Sequence, residues 1–145
     1  MITEVNESIF RNLPDYSVIV HQCNTKGWLG TSISKEIAAR WPENFKQYHE
    51  YCSWFKDGHE DEILGTFVGY NASPTLIVCN AITQTTVGKS KQQTEFDAWD
   101  VLCKKLEQQT KRVNKQTGKN WTLHIPYKIG CGSDDEAWEQ LMFIF

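Results

Sequence analysis

The stretch that most constrains this chain is Tyr16-Ser17-Val18-Ile19-Val20-His21, an apolar, β-branched run with little of the polar alternation of a strand that has one wet face. A strand covered on both sides reads this way, so the run predicts the interior of a sheet sandwiched between helices. Residues 24–32 follow at once as a loop carrying Gly27 and Gly30. A strand that ends in a glycine loop and then enters a helix is the repeating unit of parallel α/β architecture.

The rest of the chain continues that alternation. Residues 2–9 alternate loosely and predict an edge strand, with a turn at Leu13-Pro14-Asp15. Residues 31–40 read as a helix broken by Trp41-Pro42, and residues 43–55 as a second helix. The acidic residues 57–62 predict an exposed loop, and two strands follow over 63–70 and 75–82, joined by Asn71-Ala72-Ser73-Pro74. From Thr94 the pattern turns helical, with Phe96, Trp99, Leu102, Cys103, Leu106 and Val113 on one face and Thr94 with Asp97 as its cap. Residues 121–125 predict a further strand. Ser133 and Glu136 form a Ser-x-x-Glu capping box that starts a last helix near Asp134. Together these elements predict an α/β fold, a three-layer α/β/α sandwich on a mixed, mostly parallel sheet, in one domain over residues 1–145.

Composition narrows the function classes. The 18 acids and 15 bases leave a net charge of −3, and the lysines and arginine at 104, 105, 111, 112 and 115 suit the negative end of a helix without interleaved aromatics, so no nucleic-acid partner is expected. The apolar runs at 76–79 and 141–145 fall far short of a bilayer span, which predicts no membrane partner. Glu4 and Glu7 stand where a secretory signal needs bases, so a cytoplasmic location is expected. The five cysteines (Cys23, Cys52, Cys79, Cys103, Cys131) lack a Cys-x-x-Cys pair and read as reduced core thiols. His21 with Cys23, or His49 with Cys52, lacks the second half of a zinc site, so neither a metal nor a cofactor is expected.

Parallel sheets bind ligands at the carboxyl ends of their strands. Two glycine-bearing loops fall there, residues 24–32 and 130–134, each opening onto a helix whose free N–H groups and positive dipole end attract anions. The inferred ligand is a diphosphate gripped from two sides; glycine turns chosen for steric reasons alone are the other reading of the same residues.

Val20-His21-Gln22-Cys23-Asn24-Thr25-Lys26-Gly27-Trp28-Leu29-Gly30-Thr31-Ser32-Ile33-Ser34-Lys35 resembles the first ligand loop of the macro domain family, in its small single-domain bacterial and phage branch. Trp41-Pro42, Tyr48, Tyr51-Cys52, the strand end Asn80-Ala81-Ile82-Thr83-Gln84, and Ile125-Pro126-Tyr127-Lys128-Ile129-Gly130-Cys131-Gly132 with Trp138 behind it extend the likeness in the same order. The resemblance implies recognition of ADP-ribose or an ADP-ribosylated substrate. It also implies hydrolysis of ADP-ribose derivatives, either ADP-ribosyl linkages or the 1″-phosphate. By position, Asn24 holds the distal ribose and serves catalysis. Gly27, Gly30, Thr31, Ser32 and Ile33, with Gly130, Cys131, Gly132 and Ser133, wrap the diphosphate. Gln84 lines the distal pocket, and Ser8 stands where the family binds the adenine amino group.

The departures from the pattern are specific. Glu7, Ser32 and residues within Asp134-Asp135-Glu136 replace family glycines. A carboxylate ~5 Å from a phosphate charge costs about 0.8 kcal/mol at water's dielectric constant and ~3 kcal/mol at an effective value of 20. Gln84 occupies the place of the lysine used by one branch, and Lys89 and Lys91 lie beyond it, so a covalent lysine mechanism is not expected. Asp134 is the candidate catalytic carboxylate, with helix capping as its rival role. The family closes on a longer helix and a last strand, whereas residues 141–145 here are apolar; loss of that strand predicts self-association. A catalytically inactive ADP-ribose or nucleotide module, and an interaction protein on a truncated macro domain, are the alternatives to an enzyme.

Overall fold

The computed structural model describes residues 8–85, 96–127 and 129. The order of elements is β1 (Ser17–Asn24), α1 (Ser32–Arg40), α2 (Pro42–Ser53), a 3-10 turn (Glu60–Ile63), β2 (Phe67–Ser73), β3 (Leu76–Gln84), α3 (Phe96–Thr117) and β4 (Thr122–His124). The strands form one sheet in the order β2-β3-β1-β4, with β1 parallel to both β3 and β4 and β2 antiparallel to β3. The expected mixed, mostly parallel sheet is present, and β1 is buried along its whole length.

Alternation along β1 and β3 sorts side chains onto two faces. Val18, Val20, Cys79 and Ala81 meet Trp99, Leu102 and Leu106 of α3, while Ile19 and Val78 meet Ile37 of α1. Farther along that second face, Cys23 and Ile82 pack with Tyr48 and Cys52 of α2 and with Ile63. The helices on opposite faces complete the three layers. Among the described residues, no helix is long and apolar enough to cross a membrane.

Several boundaries move from their sequence positions. Ile63 does not open a strand. It closes the 3-10 turn and is 1% exposed, and Gly65 at φ +85° then redirects the chain so that β2 begins at Phe67. Proline 42 does end α1, but it also opens α2, because a first-turn residue needs no amide donor and its fixed φ suits a helix. Of the expected edge strand at 2–9, Ser8 and Ile9 are described and form a turn instead, with the Ser8 hydroxyl accepting the Phe10 amide at 3.3 Å. The remaining residues of that strand, Thr94 of the proposed helix cap, the helix expected from Asp134 and the apolar residues 141–145 lie outside the described residues.

Candidate functional site

Because β1 and β3 are parallel neighbours, their carboxyl ends reach the same edge of the sheet, where Asn24 pairs with Gln84. The chain is tied down there. The Thr25 amide donates to the Gln84 carbonyl at 3.0 Å and its hydroxyl to that of Thr85 at 3.3 Å. The next residues are organised around the Asn24 carboxamide, whose Oδ1 accepts the amides of Lys26 (3.0 Å) and Trp28 (3.2 Å) and whose Nδ2 donates to the Trp28 carbonyl (2.9 Å). From α2, the Tyr48 hydroxyl accepts the Asn24 amide at 3.1 Å and donates to the Asn24 carbonyl. Burial drives the Tyr48 phenol well above its ordinary pKa, so it keeps the proton it donates.

Gly27 sits at φ +78°, and a Cβ there would lie 3.1 Å from the Cys52 Cβ and 3.3 Å from the His49 Cα. Both the left-handed conformation and the close approach to α2 therefore require glycine. His49 Nδ1 donates to the Gly27 carbonyl at 2.9 Å, and Lys26 pairs with Glu60 at 3.2 Å on the outside of the loop.

The loop delivers the chain to α1 through Thr31, whose extended backbone and Oγ1 acceptor make it the N-cap, taking the Ser34 amide at 3.1 Å. A helix cannot satisfy its first-turn amides from within. With that of Ser34 taken, those of Ser32 and Ile33 stand at the positive end of the dipole without a partner inside the helix, and the first turn carries no acidic side chain. This loop and turn are suited to hold an anion.

Beneath the loop lies a buried polar chain. The Val68 carbonyl accepts from Asn80 Nδ2 (2.9 Å), which fixes the orientation of that carboxamide. Asn80 and Asn44 then exchange two hydrogen bonds, of 2.8 and 3.1 Å, between their side chains. Asn80 Oδ1 also faces His21 Nε2 at 2.7 Å, so Nε2 carries the hydrogen and Nδ1 is the acceptor. The Ser34 hydroxyl, 3.3 Å from Nδ1, is the donor to it, and the Thr31 hydroxyl donates to Ser34 Oγ at 2.9 Å. Burial lowers the His21 pKa to about 4, more than the Asn80 hydrogen bond raises it, so the imidazole is neutral at pH 7. Desolvation pushes the adjacent Cys23 thiol well up and Cys52 up to about 11, which leaves both as inert thiols. The cavity between this network and α1 and α2 has room for about one water molecule, too little for a nucleotide.

Among the sequence candidates, Asn24, Gly27, Gly30, Thr31, Ser32 and Ile33 are thus gathered on one loop and helix turn, with Gln84 at the neighbouring strand end. Asn24 is 1% exposed and spends its side chain on its own loop. Ser8 is exposed at a turn whose next residue, Ile9, packs on the same cluster as Ile33. Gly130, Cys131, Gly132, Ser133 and Asp134 lie outside the described residues, as do Lys89 and Lys91. The connected set His21, Ser34, Asn44 and Asn80 was not singled out from the sequence. Its signal is the polar residue inside an interior strand, which must find a partner.

The chain matches no protein-family model. Over 128 residues it is 30% identical to the ADP-ribose 1″-phosphate phosphatase of Lodderomyces elongisporus, a match covering 84% of this chain and 74% of that protein. It is 26% identical over 140 residues to the ADP-ribose 1″-phosphate phosphatase of Saccharomyces cerevisiae, covering 89% of this chain and 76% of the relative. The macrodomain of Thermus aquaticus DarG shares its fold at a TM-score of 0.71 and 15% identity, over 97% of this chain and 84% of that one.

The chain belongs to the macro domain family. The mixed sheet with helices on both faces is the macro domain fold, and the loop after β1 is the segment whose sequence resembles the family's first ligand loop. In this macro domain the loop is held from three directions: by the end of β3, by α2 and by the polar chain under α1.

Proposed function

We propose that this macro domain binds ADP-ribose and hydrolyses ADP-ribose derivatives, with ADP-ribose 1″-phosphate as its leading substrate, as a member of the small bacterial and phage branch. The observation that carries the reading is the Asn24-organised loop, which presents the acid-free first turn of α1 at the carboxyl end of a parallel strand. The names of the two relatives support the choice of substrate. In this reading the amides of Ser32 and Ile33, with Gly27, Gly30 and Thr31 shaping their approach, hold the diphosphate from one side. Gly130, Cys131, Gly132 and Ser133 hold it from the other. Asn24 sets the loop against the distal ribose, Gln84 lines the pocket floor and Ser8 meets the adenine. Asp134 takes a proton from a water that attacks the anomeric carbon of the distal ribose, the bond from that carbon to the phosphate oxygen breaks, and the phosphate leaves with the electron pair.

Calorimetric titration with ADP-ribose tests the binding half, with an expected affinity in the micromolar to sub-millimolar range, about −8 to −5 kcal/mol. Gly30→Trp should abolish the heat by blocking backbone approach. Phosphate release from ADP-ribose 1″-phosphate tests the chemical half, and Asp134→Asn should preserve binding while slowing release ~10²-fold or more. Binding without turnover would identify an inactive module. Silence in the titration would overturn the proposal.

A further inference from the structure

We infer that His21 is a positioning residue for the ligand loop: through Ser34 and Thr31 it sets the first turn of α1, and so the direction of the Ser32 and Ile33 amides. The inference rests on the diphosphate reading above for its consequence, but on the hydrogen bonds of the protein alone for its mechanism. Every link in the chain has one permitted direction. A backbone carbonyl such as that of Val68 only accepts, which turns Nδ2 of Asn80 towards it and Oδ1 towards His21. The neutral imidazole must then donate from Nε2 and accept at Nδ1, and the hydroxyls of Ser34 and Thr31 fall into line as successive donors. Thr31 uses its hydroxyl hydrogen on Ser34, so its Oγ1 lone pairs are left for the Ser34 amide, which fixes the cap. The imidazole thereby couples a carbonyl of β2 to the turn that would grip the ligand. His21 is 3% exposed and its loop covers it, so it acts through its neighbours and not on the substrate.

Two replacements separate positioning from bulk stability. His21→Gln keeps a donor where Nε2 stood but provides nothing where Nδ1 accepted the Ser34 hydroxyl. His21→Asn keeps an acceptor near the Nδ1 position and loses the link to Asn80. Both variants should lose stability. The positioning role predicts that His21→Gln weakens ADP-ribose binding about five- to tenfold, the scale of one hydrogen bond, and that His21→Asn recovers most of that loss. In the ligand-free protein, hydrogen exchange at the Ser34 amide should accelerate in His21→Gln and return towards the wild-type rate in His21→Asn. Imidazole nitrogen spectra of the wild type should show hydrogen on Nε2 and none on Nδ1. If His21→Gln does not fold, Ser34→Ala cuts the same link from the other side and should reproduce both effects. Equal losses in the two histidine variants, an unchanged Ser34 exchange rate, or a hydrogen on Nδ1 would each overturn the inference. Failure of the wild type to bind ADP-ribose would sink the proposed function alone, because the exchange rates and nitrogen spectra still decide whether His21 positions the turn.

Discussion

Cys79 and Asn80 are adjacent on β3, yet they face chemically different halves of the molecule. Beneath α3 the sheet presents valine, cysteine and alanine to tryptophan and leucine, where contact is non-directional, and polar pairing on that face comes farther along, where Gln22 Nε2 donates to Thr83 Oγ1 at 3.0 Å. Towards α1 and α2 the same strands set His21 and Asn80 among Ile19, Val78 and Ile82, and the contacts of those two have donors, acceptors and angles. The loop after β1 is tied to the directional contacts, through Thr31 and Ser34. An apolar face holds two layers together with tolerance for small shifts, whereas a satisfied polar face selects one arrangement, because every alternative leaves a buried group unpaired.

That contrast is open to direct attack. The largest effect is expected from Asn80→Leu, which strips partners from the His21 Nε2 hydrogen, the Asn44 carboxamide and the Val68 carbonyl. At ~1–3 kcal/mol for each orphaned group, the loss in a urea denaturation series should reach about 4 kcal/mol or more. A loss below about 1 kcal/mol would mean that the two faces are not different in kind.

Acid should erode the same half. The unfolded chain takes up the imidazole proton near pH 6.5, whereas the native His21 resists until about 4. The unfolded state therefore binds more protons in that window, and stability, complete above 6.5, falls as the pH drops from 6.5 towards 4. The shift amounts to about 3 kcal/mol at ~1.4 kcal/mol per pH unit. His124 is shifted in the same direction by burial, but it is less enclosed and adds less. Denaturant midpoints measured between pH 7 and pH 4 check the slope, which should flatten in His21→Asn.

Gly27→Ala probes the joint between loop and α2 and should cost about 2 kcal/mol, combining a left-handed alanine with a Cβ 3.1 Å from that of Cys52. Thermal melts check the stability, and the same variant should weaken ADP-ribose binding. The smallest effect is expected on the apolar face, where Cys79→Ala removes a single γ atom and should cost less than ~1.5 kcal/mol. A larger cost than that of Asn80→Leu would reverse the comparison.

How much of this was legible in the sequence follows the same division. Val18, Ile19 and Val20 announce an interior strand, and the spacing of Trp99, Leu102 and Leu106 announces the helix that covers it, because burial leaves a period in the chain. Ile63 misled because an apolar residue beside a strand looks like its first member, and the turning of the chain at Gly65 has no periodic trace. In the candidate site, Asn24 and Gly27 stood out as loop residues. The pairing of His21 with Asn80 did not, since the two are 59 residues apart and only the parallel register of β1 and β3 brings them together. Local pattern reports which residues are buried; it does not report whom they meet.

The central place of β1 has a consequence during synthesis. Its neighbours in the sheet are β3 and β4, both made later, and the nearer of them begins about 60 residues downstream. At roughly 5–20 residues per second, a ribosome would leave this strand, buried along its whole length in the folded protein, unpaired for roughly 3 to 12 seconds. Throughout that interval the newborn segment is a template for any passing extended chain, and α1 and α2, emerging next, are the first part of the molecule able to shield it. The order in which the pieces leave the ribosome therefore gives the two short helices a second task, as a temporary cover for a strand whose permanent partners have yet to be translated.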